Sequence, residues 1–247
     1  MDRQITALLC RTSDRGPDAA AGTRELGELL RARIVGSPGE PRAAGWEQDL
    51  RASRGCLLEA GGQVDDAFVA GRLPILLAGE CSVSVTTLPV AVRHHPDVRV
   101  LWLDAHGDFN TPETTGSGYL GGMCLAGACG LWDTGFGAGL DPTRVIMHGV
   151  RELDGGERVA LDRCGVYRLE DPGQVAGMQL FVHVDLDVLD PVAHPASLPV
   201  DGGLSPQALN GLLTDVVRVA TVVGAEITSA APGCAGVAAG AIAPLLA

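Results

Sequence analysis

The sequence predicts an α/β fold of three layers, with a central, mainly parallel sheet covered by helices on both faces. Two observations carry that expectation: short, nearly continuous apolar runs recur along the 247 residues, and helix-like segments separate them. A strand that is apolar at almost every position is buried on both faces, which is the environment of a helix-covered parallel sheet.

Taken in order, the strand-like runs are "ITALLC" at 5–10, "LPILLAG" at 73–79, "VRVLWLD" at 98–104, "RVIMHGV" at 144–150, "LFVHVDLD" at 180–187 and "VVGAEIT" at 222–228. Helices are expected over 22–33, 45–71, 82–95 and 205–220. The stretch 106–122 is long, polar and glycine-rich, and loops of that length in a compact protein are usually functional. There is no internal repeat, low-complexity linker or break in composition, so one domain over 1–247 is expected.

Composition narrows the function. The 46% hydrophobic content is that of a globular chain, and a formal charge of −12 lacks the basic stripe that a nucleic-acid binder needs to replace phosphate counterions. All 18 basic residues are arginine, which excludes a Schiff-base or P-loop lysine. The segment after Arg3 is too short and too quickly polar for a secretion signal, and no apolar run reaches membrane-spanning length. Seven cysteines are an odd number. A disulfide framework is therefore not expected, a reducing cytoplasm is, and Cys10, Cys56, Cys124, Cys129, Cys164 and Cys234 read as small buried apolar groups.

The chemistry concentrates at two strand ends. "LDAHGD" supplies Asp104, His106 and Asp108, and "HVDLDVLDP" supplies Asp185 and Asp187. Period-two spacing turns such residues to one side, and parallel strands bring their ends to one edge, where α/β folds bind ligands. Four carboxylates gathered there need compensating charge, because mutual repulsion otherwise raises their pKa values until some are neutral. Two divalent cations would balance them. Oxygen-rich ligation with one imidazole suits Mn²⁺, and a metal pair can generate hydroxide from water near neutral pH.

Through "DAHGDFNTPETTGSG" at 104–118, "VRELD" at 150–154, "DLDVLDP" at 185–191 and "VDGGLS" at 200–205, the sequence resembles the arginase (ureohydrolase) family over most of its length. The resemblance implies an arginase-like α/β/α fold, two manganese ions per chain and hydrolysis of a guanidino compound. Asp104 and Asp185 would bridge both ions, Cys81 and Asp108 would bind the first, and His106 and Asp187 the second. Among these, His106, Asp108 and Asp185 are the expected catalytic residues. Asn110 and Ser117 match residues that hold a substrate α-carboxylate, with Thr115 nearby, and Asp154 matches the reader of the α-amino group. A site built for both groups penalises substrates lacking either, so an arginine-like amino acid is expected.

Three positions depart from the family pattern. Cys81 stands where the family has a histidine ligand, and a thiolate there would make the metal less electrophilic. Gly121 stands where the family has a proton-shuttling histidine, whose loss costs about 10²- to 10⁴-fold in rate if nothing replaces it. Ser229 aligns with the glutamate that pairs with the guanidinium, while Glu226 is expected to point elsewhere. Arginine, charged and without its counter-ion, would be a poor substrate. An N-hydroxylated guanidine is far less basic and leaves an oxygen for Ser229 to bond. Taken together, the three departures resemble the branch of the family that hydrolyses Nω-hydroxy-L-arginine to L-ornithine and hydroxyurea. Two alternatives stand beside it: hydrolysis of another amidine-bearing amino acid, or a degenerate arginase-fold protein that binds metal without catalysis.

Among the other candidates, His94 and His95 are expected to be solvated at a helix end, and His194 to be a turn residue. His183, which alternates with Asp185 on one strand, and His148, which ends another, are expected to be satisfied core histidines, partners of the site or a substitute acid, and Tyr119 either to pack or to contact substrate. The expected partner is a small amino acid, and the expected assembly is a monomer.

Overall fold

A computed structural model describes residues 2–247. Eight strands form one sheet in the order β2-β1-β3-β8-β7-β4-β5-β6. They are β1 (Arg3–Leu8), β2 (Arg33–Val35), β3 (Leu73–Leu77), β4 (Arg99–Leu103), β5 (Val145–His148), β6 (Tyr167–Arg168), β7 (Gln179–Asp185) and β8 (Thr221–Thr228). Every pairing is parallel. The six expected strands are present, and the short edge strands β2 and β6 are additional.

Successive strand residues feed opposite layers, as the period-two geometry requires. Leu76, Trp102 and Phe181 join one buried cluster, whereas Ile75, Leu77, Leu101, Leu103, Val182 and Val184 join another. The first cluster is closed by residues of α3 (Arg54–Val69), α4 (Ser84–His94) and α5 (Cys124–Ala128), the second by residues of α1 (Asp18–Leu29), α7 (Pro206–Val219) and α8 (Ala235–Leu246). Each fully buried aliphatic side chain contributes about 1.5–3 kcal/mol, so this two-sided burial is what commits the apolar runs to the sheet.

Several element boundaries differ from expectation for identifiable reasons. The helix expected over 45–71 is two helices, α2 (Trp46–Ala52) and α3, because buried Ser53 bonds the carbonyl of Thr12 across the fold. The first helix starts at Asp18 and stops at Leu29, before Arg31 enters the left-handed region at φ 55° and the chain joins the sheet as β2. Helix α6 (Gly155–Arg163) was not expected, although Asp154 and Glu157 form a capping box at its start.

The cysteine expectation is corrected. Cys10, just beyond β1, is disulfide-bonded to Cys56 in α3, with the two Cα atoms 5.9 Å apart. Sheet and helix layer bring together residues 46 apart in sequence, which an odd cysteine count cannot reveal. The argument from unpaired cysteines to a reducing compartment loses its premise. Among the remaining five, Cys81 and Cys124 are buried and Cys129, Cys164 and Cys234 half-buried. His94 and His95 are not simply solvated, since both pack against Phe68 and His94 bonds Asp65 at 2.5 Å. Among the described residues no helix is long and apolar enough to cross a membrane.

Candidate metal centre

Strands β3, β8, β7 and β4 are adjacent in the sheet, and their C-terminal ends deliver the candidate ligands to one cavity. Cys81 follows β3, Ser229 follows β8, Asp185 ends β7 with Asp187 in the turn just after it, and Asp104, His106 and Asp108 follow β4. The cavity, of about 370 Å³, is also lined by Asn110, Ser117, Tyr119, Gly121, Asp154 and Glu157, with Ser197, Leu198 and Pro199 as a further wall. Thr115 is not among the lining residues; its hydroxyl accepts the Gly118 N–H at 3.0 Å within the loop.

Backbone bonds fix the carboxylates before any ligand binds. Asp104 accepts the His106 N–H at 2.7 Å, Asp185 the Asp187 N–H at 2.7 Å, and Asp187 the Ala105 N–H at 3.0 Å. The last of these ties the ends of β4 and β7 together. Asp108 adopts φ 50°, and its carbonyl accepts from Leu125 and Ala126, which holds the turn in that conformation.

The electrostatics are those of crowded anions. Burial, followed by the charge of Asp104, pushes the Asp108 carboxyl well above its ordinary value, and the same two causes raise Asp187 to about 6. Burial and then Asp187 raise Asp185. The Cys81 thiol is driven well above the usual range by burial and then by Asp185 and the other aspartates. Burial opposes a charge on His106, but its bonds to Asp104 and Asp187 hold it as the imidazolium, up to about 12. Among the described residues no arginine lines the cavity. Without an added cation the cluster must therefore retain protons, which a divalent ion can replace.

The donor set fits such ions. His106 Nδ1 lies 2.9 Å from Asp187 and 3.5 Å from Asp104, and these three residues offer ligand atoms within one metal's reach of one another. Cys81, Asp104 and His183 form a second such group. One oxygen of Asp185 collects Cys81 at 2.8 Å, Thr228 at 3.2 Å and Ser229 at 2.5 Å.

Two of the altered positions have a geometric explanation. A Cβ at Gly121 would fall 2.5 Å from Tyr119 Cε1, so the absent side chain is what admits the Tyr119 ring. That ring is fixed by a bond from its hydroxyl to buried Glu80 and by the Arg15 guanidinium 4.6 Å from its centroid. Burial and then Asp14 raise the Glu80 carboxyl well above its usual value. Strand alternation pairs His183 with Glu226 and Asp185 with Thr228, which would turn Ser229 to the opposite face. Its φ of 59° instead lets the hydroxyl reach Asp185.

At the far end of the cavity Asn110 donates to Asp154 at 3.1 Å, and Asn110 Oδ1 is buried without a partner, leaving hydrogen-bonding capacity unspent. Glu157 accepts the Phe109 N–H at 2.8 Å and is raised to about 7, chiefly by burial. His148 bonds the Leu169 carbonyl, and buried His194 accepts the Ala231 N–H at 3.1 Å, bracing the turn after Ser229. Glu226 lies beneath the site, where it bonds Ser84, Thr87 and His183. Glu80, Glu152 and Glu157 also line the cavity and were not expected there; Glu152 lies within the "VRELD" motif, Glu80 directly precedes Cys81, and Glu157 stands in the capping box.

The sequence model of the arginase family matches residues 47–243. The chain is 39% identical over 220 residues to the N(omega)-hydroxy-L-arginine amidinohydrolase of Streptomyces lavendulae, covering 85% of this chain and 80% of that protein. Its fold is similar to that of arginase from Bacillus caldovelox, with a TM-score of 0.78, 24% identity and 98% of both chains covered. It is also similar to arginase from Entamoeba histolytica in complex with L-ornithine, with a TM-score of 0.81, 19% identity and 99% of both chains covered.

Proposed function

Because the chain belongs to the arginase family of metal-dependent amidinohydrolases, we propose that it cleaves Nω-hydroxy-L-arginine to L-ornithine and hydroxyurea with two manganese ions bound. The observation that carries this reading is Ser229, a neutral hydroxyl on the cavity wall where the family resemblance places a carboxylate. A guanidinium of pKa above ~12 would be desolvated there without the partner it needs. A hydroxyguanidine enters largely neutral and offers Ser229 an oxygen to bond. The hydroxyarginine-hydrolysing relative supports the same substrate.

Asp104, Asp108, Asp185, Asp187, His106 and Cys81 would hold the ions. When bound, they supply Lewis acidity and lower the pKa of water beside the substrate. The remaining steps belong to the chain. Asp154, already fixed as the cap of α6, accepts from the α-ammonium group. Ser117 and Asn110 hold the α-carboxylate, and Asn110 is tied to the α-amino reader by its bond to Asp154. Anchoring both head groups orients the side chain, so that the guanidine carbon reaches the carboxylate end of the cavity. Tyr119 occupies the space of an absent shuttle side chain and excludes water from beside Gly121.

The chain's three departures from the family pattern resemble the hydroxyarginine hydrolases of D-cycloserine biosynthesis, and we place this protein in that antibiotic pathway. The test is an assay of manganese-loaded protein with arginine and with Nω-hydroxyarginine, reading urea and hydroxyurea. Faster turnover of arginine would overturn the proposal.

A further inference from the structure

His183 is fully buried on β7, two residues before Asp185 and on the same face of the strand. Its ring stacks on Trp102 with centroids 3.5 Å apart and planes within 5°. Nδ1 lies 2.9 Å from Glu226, a carboxylate that also collects the hydroxyls of Ser84 and Thr87. A carboxylate oriented by two other donors accepts a hydrogen bond from Nδ1–H, so the proton stays on Nδ1 and the lone pair is on Nε2. That nitrogen faces the ligand cluster, 3.4 Å from Cys81 Sγ and 3.9 Å from Asp104 Oδ2.

Cys81 Sγ and Asp104 Oδ2 are themselves 4.0 Å apart. The three donor atoms thus form a nearly equilateral triangle whose centre is about 2.2 Å from each, the range of metal–nitrogen and metal–sulfur bonds. A ligating histidine characteristically gives its other N–H to a carboxylate that fixes tautomer and ring orientation, as Glu226 does here. We propose that His183 is a nitrogen ligand of the metal ion held by Cys81 and Asp104, with Glu226 as its positioning residue. The imidazole missing from position 81 is supplied from β7, two strands from β3 in the sheet, so the ion keeps a nitrogen donor beside the thiolate.

This inference rests on the reading of the cavity as a metal centre, and the test separates the two. Manganese-loaded wild-type protein is prepared with natural-abundance and with ¹⁵N-labelled histidine, its metal content measured, and the directly coupled imidazole nitrogens counted by pulsed EPR. Two such nitrogens are expected, from His106 and His183, and one in His183→Gln. That variant should also bind one of its two ions more weakly than the about 10- to 100-fold typical of losing an outer partner. The double variant Cys81→His with His183→Gln should recover the second coupled nitrogen. Two bound ions with a single coupled imidazole in wild type would overturn this inference alone. A wild-type protein that binds no manganese would overturn the metal reading and this inference with it. The wild-type count decides the matter even if the variants fold poorly.

Discussion

The dependence of Tyr119 on Gly121 can be tested by a cycle of two substitutions. In Gly121→Ala the new methyl would lie 2.5 Å from Tyr119 Cε1 and 2.9 Å from Cζ. Carbon atoms in good contact are about 3.5–4.0 Å apart, so the ring must retreat by about 1 Å or more. It has little freedom to do so, being held by Glu80 at its hydroxyl and by Arg15 over its face. Overpacking of this kind costs about 1–3 kcal/mol. Gly121 has no positive φ, so alanine is not strained by the backbone. In a Tyr119→Ala background the obstacle is gone, and Gly121→Ala should be neutral or stabilising by up to about 1 kcal/mol through the unfolded chain. The coupling between the two changes should thus be about 1–4 kcal/mol, measured as free energies from urea unfolding of the four proteins. Additivity within about 0.5 kcal/mol would refute the claim that the ring occupies the space a side chain at 121 would need.

Three further outcomes follow from the same geometry. Denatured protein purified without reductant should titrate five thiols, and seven after reduction; Cys10→Ser with Cys56→Ser should cost up to about 4 kcal/mol by loop entropy, and an unchanged melting temperature would contradict a formed bridge. Cys81→His combined with Ser229→Glu should shift preference toward arginine, because a carboxylate then meets the guanidinium; an unchanged ratio of kcat/KM values would show that these positions do not set specificity. Burial raises folded Glu157 from the ordinary glutamate value of 4.5 to about 7, so ionisation disfavours the folded state and its contribution to stability falls as pH rises through that window. Glu157→Gln should remove that part of the slope in urea midpoints of metal-free protein between pH 4.5 and 7, and identical slopes would contradict the assignment.

The sheet was legible because its strands are buried on both faces and hence apolar without interruption. The gathering of carboxylates was legible because two alternating aspartate motifs end apolar strands, and β4 and β7 lie side by side in the sheet. What stayed hidden depended on contacts distant in sequence. The break at Ser53 requires the Thr12 carbonyl, and the disulfide requires α3 to pack beside the end of β1. Tyr119 and Gly121 both drew notice, yet only the fold shows that one fills the space left by the other. Ser229 lies beyond strict strand alternation, and its own left-handed backbone brings its hydroxyl into the site. Alternation did single out His183 beside Asp185, but the Glu226 partner that orients it comes from the register of β7 with β8.

Substrate choice is decided by one competition experiment. Manganese-loaded enzyme is given equimolar L-arginine and Nω-hydroxy-L-arginine in one vessel, and urea and hydroxyurea are quantified at low conversion, where their ratio equals the ratio of kcat/KM values. Loss of a buried partner for a charged group is worth several kcal/mol, and each 1.4 kcal/mol is about tenfold. Hydroxyurea should therefore exceed urea by about 100-fold or more. Urea in equal or greater amount would contradict the account.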